Sequence, residues 1–158
     1  MATKSVEALL KEKRIFEITN PKLVQAPPEI SLKSAIALMQ ANRSGYIVIA
    51  KNKKVVGIFT ETDIVQKILE RDVDWESPVS AFMTQNPVVL KPTDSVGTAI
   101  DLMGERRFYH IPLVDDQQNL VNVISVRTLI RFLAEFYPTE VYNLPPVPDQ
   151  IMETPEGG

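Results

Sequence analysis

No cysteine occurs among the 158 residues, which removes disulfides, thiolate metal ligands and cysteine nucleophiles together. Histidine occurs once, at His110, so no second imidazole stands ready to complete a metal site. No Gly-rich loop of the Walker type is present, and no nucleophile has an evident paired base, which leaves an enzyme the weakest of the function classes. The longest apolar run, YIVIA at 46–50, is far short of the roughly 20 residues that span a bilayer. The opening MATKSVEALLKEKR lacks the continuous apolar core of a signal peptide, so a cytoplasmic protein with no membrane partner is expected. A basic excess is absent too. The net charge is -3 and the pI about 5.2, a poor start for binding nucleic acid through its phosphates.

What is present is an internal repeat. SLKSAIALMQANRSGYIVIA from Ser31 matches SVGTAIDLMGERRFYHIPLV from Ser95 at an offset of 64 residues, with Ala35/Ala99, Ile36/Ile100, Leu38/Leu102, Met39/Met103 and Ile47/Ile111 coinciding. One inserted residue then moves the offset to 65, which aligns Gly57 with Asn122.

Both copies read alike. An extended lead-in (KLVQAP, NPVVLKP) closes in proline, which disfavours helix at the preceding residue. Ser31 and Asp94 or Ser95 offer N-caps to a helix whose apolar residues (Leu32, Ala35, Ile36, Met39; Val96, Ala99, Ile100, Met103) recur at helical spacing. Two strands follow, YIVIA and VVGIF or HIPLV and LVNVI, joined by the polar turns KNKK and DDQQN. A second helix starts at Thr60 or Ser125 and is expected to bury Ile64, Ile68 and Leu69, or Leu129, Ile130, Leu133 and Phe136.

The fold class is therefore α/β (α+β): two pseudo-symmetric β-α-β-β-α units packed through their sheets, with an N-terminal helix and an extended C-terminal tail. The expected divisions are 1–19 for the helix and lead-in, 20–72 and 86–137 for the repeats, 73–85 for a linker carrying Trp75, and 138–158 for the Pro-rich tail. The tail's PPVP reads either as a partner motif or as a strap.

The junction VGIFTETD, Val56 to Asp63, supports two readings. Thr60 and Asp63 form a serviceable capping box. Alternatively, the positive end of the helix attracts a phosphate while the Asp63 carboxylate accepts both hydrogen bonds of a ribose diol. Gly57, without a Cβ, admits either a ligand or a neighbouring strand. The second copy keeps Ser125 as a cap but places Thr128 where the carboxylate stood. Asp63 then looks optional for folding.

The doubled unit, the AIALM and AIDLM helices, YHIPLVDD and VVGIFTETD resemble a cystathionine beta-synthase (CBS) domain pair, or Bateman module, of the stand-alone bacterial type. The resemblance covers about Asn20 to Phe136. It implies an adenosine-ligand signature in which Thr60 serves phosphate or ribose and Asp63 the ribose hydroxyls. It implies adenine near Lys22, Leu23 and Val24 and near Gly45 and Tyr46, and phosphate contacts at Tyr109 and His110. His110 is otherwise simply a strand-edge histidine. A weaker second site is expected around Val88, Ser125, Arg127 and Thr128, because Thr128 cannot supply the charge-assisted pair and Asn122 narrows the approach. Arg127 is either a phosphate ligand there or a solvated helix-start arginine.

The resulting expectation is a regulatory module that senses AMP, ADP or ATP, with S-adenosylmethionine as a further candidate. It requires no cofactor and no metal, forms a homodimer and signals through repeat orientation or assembly to an effector protein. The competing expectation is a ligand-free structural module that scaffolds a protein partner.

Overall fold

The computed structural model describes residues 5–136. The tail with its PPVP motif lies outside the described residues, as does the side chain of Phe136.

The chain opens with α1 (Val6–Glu12), capped by Ser5, whose Oγ accepts the Ala8 N–H at 3.1 Å. A 3₁₀ turn follows at Ile15–Glu17. The first copy consists of β1 (Gln25–Ala26), α2 (Leu32–Asn42), β2 (Tyr46–Lys51), β3 (Lys54–Thr60) and α3 (Glu61–Lys67). A second 3₁₀ turn at Val79–Ala81 and the short β4 (Thr84–Gln85) lead to α4 (Val96–Arg106), β5 (His110–Val114), β6 (Leu120–Ser125) and α5 (Val126–Phe136). Ser31 and Ser95 cap α2 and α4 as their sequence contexts predict, each Oγ accepting an N–H three residues on at 3.1 Å.

The sheets depart from two equal three-stranded units. The first has four strands in the order β1-β2-β3-β4, with β1 parallel to β2 and the other pairs antiparallel. The second has β5 and β6 alone, its lead-in reduced to one parallel bridge between Leu90 and Leu113. In the first hairpin Asn52 and Lys53 both take positive φ, at 51° and 67°, as a two-residue type I′ turn requires. The second hairpin has a longer turn in which the Asp115 carboxylate accepts the Gln117 and Asn119 N–H groups, each at 2.9 Å. The inserted residue of the second copy is absorbed there.

The two copies also exchange segments. Ile15 donates its N–H to the Asp94 carbonyl at 2.9 Å, and Val96 donates to Lys13 at 2.8 Å. The same pair of bonds recurs at the same 64-residue offset, from Val79 to Ile30 at 2.7 Å and from Leu32 to Ser77 at 2.8 Å. Ile15 is thus buried in the core of the second copy, among Val96, Ala99, Ile111 and Leu113. Val79 is buried in the first, among Leu32, Ala35, Ile47 and Phe59. The segment read as a linker is therefore part of the first core. The sheets meet where Val123 of β6 joins that core, with Leu120 packed against it.

Some helix faces differ from the expectation. Leu69 and Ile130 were expected inside but are exposed, and Val6 of α1 is exposed as well. A helix on the rim of a thin sheet buries a narrower stripe than its apolar residues could fill.

Candidate functional site

Beta-strand β3 ends in Thr60, and α3 begins at once with Glu61. Asp63, one turn in, is buried and is the only fully buried charged residue among those described. Its Oδ2 accepts the Thr60 N–H at 2.9 Å and the Thr60 hydroxyl at 3.3 Å. Its Oδ1 accepts the Thr84 hydroxyl at 2.9 Å and pairs with the Lys67 ammonium at 2.8 Å. Lys67 also donates to the Phe82 carbonyl at 2.8 Å. Asp63 therefore ties β3, α3 and β4 together. Thr128, at the equivalent position, makes only a hydroxyl contact of 3.2 Å with Ser125 and donates its N–H to Ser125 Oγ at 3.3 Å.

Gly57 is explained by its neighbours in the fold. A Cβ there would lie 2.3 Å from the Met83 sulfur. The glycine admits the chain leading into β4, which pairs with β3 through Gly57–Gln85 and Ile58–Thr84.

This junction forms one wall of a cleft of about 670 Å³ that both copies line. Gly45, Ile58, Thr60, Glu61, Thr62, Asp63 and Gln66 come from the first copy. Thr84 to Val88 form a second wall. Arg106 to His110, with Val126 and Arg127, form a third.

Of the residues predicted from sequence, the cleft brings together Gly45, Thr60, Asp63, Tyr109 and His110. Val88 and Arg127, expected at the second site, line this one. Lys22, Leu23, Val24 and Tyr46 are not among its lining residues. Tyr46 is buried beside the cleft, its hydroxyl accepting the Val24 N–H at 3.3 Å and donating to the Lys22 carbonyl at 3.4 Å. The reason is the pairing of β3 with β4. It sets the lead-in of the second copy, not that of the first, against the first junction.

His110 packs its ring on Tyr46 with centroids 4.9 Å apart. The two are pseudo-equivalent residues, 64 positions apart, so the stack lies between the copies. Burial lowers the His110 pKa to about 4, so near neutral pH the imidazole faces the cleft uncharged.

The cations are elsewhere, and sequence reasoning overlooked most of them. Arg106, Arg107 and Arg127 line the cleft, and among the described residues none of them forms an ion pair. The doublet in GERRFYH was the available signal. Arg107 takes a left-handed conformation at φ 57° to end α4, and Arg43 ends α2 likewise at φ 49°. That conformation therefore belongs to the fold, and only the Arg107 side chain belongs to the cleft. Helix α3 has seven residues and carries Glu61 and Asp63 in its first turn, so the positive charge lining the cleft comes from the arginines rather than from that N-terminus.

The equivalent opening of the second copy is bridged by Asn122 and Lys22. Asn122, in the place of Gly57, donates from Nδ2 to the Asn20 carbonyl at 2.9 Å and accepts the Val123 N–H on Oδ1 at 2.8 Å. The Lys22 ammonium bonds the Asn42 carbonyl. Thr128 lines a separate cavity of about 310 Å³ with Lys13, Glu17 and Arg131. No metal-binding cluster occurs among the described residues, and no helix among them is long and apolar enough to cross a membrane.

The CBS domain model matches residues 15–70 and 79–135. The chain belongs to the CBS domain family, as two copies of that domain, and the matched spans take in the exchanged 3₁₀ turns. An uncharacterized 17.7 kDa protein of Acidianus ambivalens is 30% identical over 125 residues, covering 78% of this chain and 75% of that protein. The fold is that of solved CBS domain pairs. The CBS domain protein PAE2072 from Pyrobaculum aerophilum, complexed with AMP, superposes with a TM-score of 0.70 at 24% identity, over 80% of this chain and 99% of the other. The CBS domain pair of protein MJ0100, in complex with 5′-methylthioadenosine and S-adenosyl-L-methionine, gives 0.69 at 20% identity, over 77% and 99%. Several longer relatives are matched over half of their length or less.

Proposed function

We propose that this chain is a regulatory module that binds an adenine nucleotide in the cleft shared by its two CBS copies. The carrying observation is the polarity of that cleft, with a carboxylate and threonine hydroxyl on the first copy and, on the second, three guanidinium groups that form no ion pair among the described residues. The ribose diol then meets Asp63 and Thr60, and the phosphates meet Arg106, Arg107 and Arg127. The base rests against Pro87 and Val88, with Tyr109 at the rim. The complexes of PAE2072 with AMP and of MJ0100 with S-adenosylmethionine support an adenosine ligand. The arginines favour the phosphates of AMP, ADP or ATP over a sulfonium cation.

Such a ligand touches both copies, so it prefers one relative orientation, and that difference in affinity is what it transmits. The signal passes to an effector protein or into assembly, and a homodimer formed through the exposed apolar residues of α3 and α5 is part of this reading. One observation favours the competing scaffold reading: Asp63 is already fully hydrogen-bonded as a structural cap.

Titration calorimetry with adenosine, AMP, ADP, ATP and S-adenosylmethionine separates the two readings. Affinity is expected to rise with each phosphate, and S-adenosylmethionine to bind more weakly than ATP. Arg127→Ala is expected to weaken ATP by roughly tenfold or more, the factor for a charge-assisted hydrogen bond, while leaving adenosine unchanged. Absence of binding by every ligand would establish the scaffold reading.

A further inference from the structure

An ionised carboxylate offers about four acceptor positions, two on each oxygen. At Asp63 all of them are taken. Oδ2 holds the Thr60 N–H and hydroxyl, and Oδ1 holds the Thr84 hydroxyl and the Lys67 ammonium. A vicinal diol that donates one hydrogen bond to each oxygen must displace one occupant from each.

The cost differs among the four. On Oδ2 the backbone N–H is the capping-box bond at the start of α3, whereas the Thr60 hydroxyl sits at a long 3.3 Å and turns away freely. On Oδ1 the Lys67 contact is an ion pair, and the same ammonium is anchored on the Phe82 carbonyl. The Thr84 contact is a neutral hydroxyl from an exposed residue on a two-residue strand. Thr84 is the occupant that yields.

We propose that Thr84 is an internal competitor for the Asp63 carboxylate, holding the ribose position in the empty protein and lowering the affinity for any ligand that brings a diol. This rests on the adenosine reading given above. Binding then exchanges a bond between α3 and β4 for a bond to the ligand, so the occupied protein loses one of the ties between the first copy and the strand leading into the second.

The test compares wild type, Thr84→Val and Thr84→Ser in calorimetric titrations with adenosine and with 2′,3′-dideoxyadenosine, alongside thermal unfolding without ligand. Thr84→Val is expected to bind adenosine roughly tenfold more tightly, the factor corresponding to about 1.4 kcal/mol, while unfolding at a lower temperature. Those changes run in opposite directions, which a purely structural residue would not produce. Thr84→Ser keeps the hydroxyl and is expected to bind like wild type, and the dideoxy analogue is expected to gain nothing from the valine. Unchanged or weaker adenosine binding by Thr84→Val, with wild type still binding, overturns the proposal alone. Failure of all three proteins to bind adenosine overturns it together with the adenosine reading.

Discussion

Asp63 shows how one residue serves two purposes that sequence reasoning treated as rivals. The capping box is formed, and the same carboxylate lies at the wall of the cleft. Removing it takes the anionic partner from the Lys67 ammonium, which keeps the Phe82 carbonyl, and the acceptor from the Thr84 hydroxyl, so the expected cost exceeds that of a lost cap. Lys67 is about a third exposed and partly recovers water, which holds the loss for Asp63→Ala to roughly 2 to 3 kcal/mol. Thermal unfolding should register this as a fall of roughly 4 to 12 °C without ligand. A fall of under about 1 °C would show that the four bonds contribute little and that the residue is held for binding alone. Any ligand-induced shift in this variant must accordingly be read against its own lowered baseline.

At the scale of elements, α3 and α5 are pseudo-equivalent and share a feature that packing leaves unused. Val65 on α3 and Ile130 on α5 are 63% and 61% exposed, and apolar residues at matching positions of two copies suit a self-complementary contact. Sedimentation equilibrium should give twice the 17.7 kDa chain mass for wild type and the single chain mass for the double variant Val65→Glu, Ile130→Glu. A monomeric wild type at micromolar concentration would contradict the homodimer. The repeat, its caps and its hairpins were legible in the sequence because each depends on residues close in the chain: Ser31 with Ser34, Asn52 with Lys53. The strand count was not, since β4 pairs with β3 at Gly57, where a Cβ would collide with Met83. Asn122 removes the same opportunity in the second copy by bonding Asn20 itself. The glycine-for-asparagine change was visible as a narrowing, but its partner 102 residues away was not. Lys67, four residues beyond Asp63 and so on the same helix face, was legible and passed over.

At the scale of the molecule, Ile15 and Val79 are exchanged between the copies, and the lead-in of the second copy lines the cleft beside the first junction. Each copy is completed by a segment that precedes the other, and the junction of the first copy faces the lead-in of the second. Asp63 shares the cleft lining with Pro87 and Val88, and Leu23 and Val24 are not part of that lining. The cleft is consequently a property of the pair, and neither copy alone holds both the carboxylate and the arginines. The most direct test of this account is a crystal structure of the protein grown with ATP. It should show one nucleotide per chain, its ribose on Asp63, its phosphates among Arg106, Arg107 and Arg127, and the Asn20–Asn122 closure intact. A nucleotide seated against Lys22 to Val24, or crystals without nucleotide at saturating ATP, would contradict it.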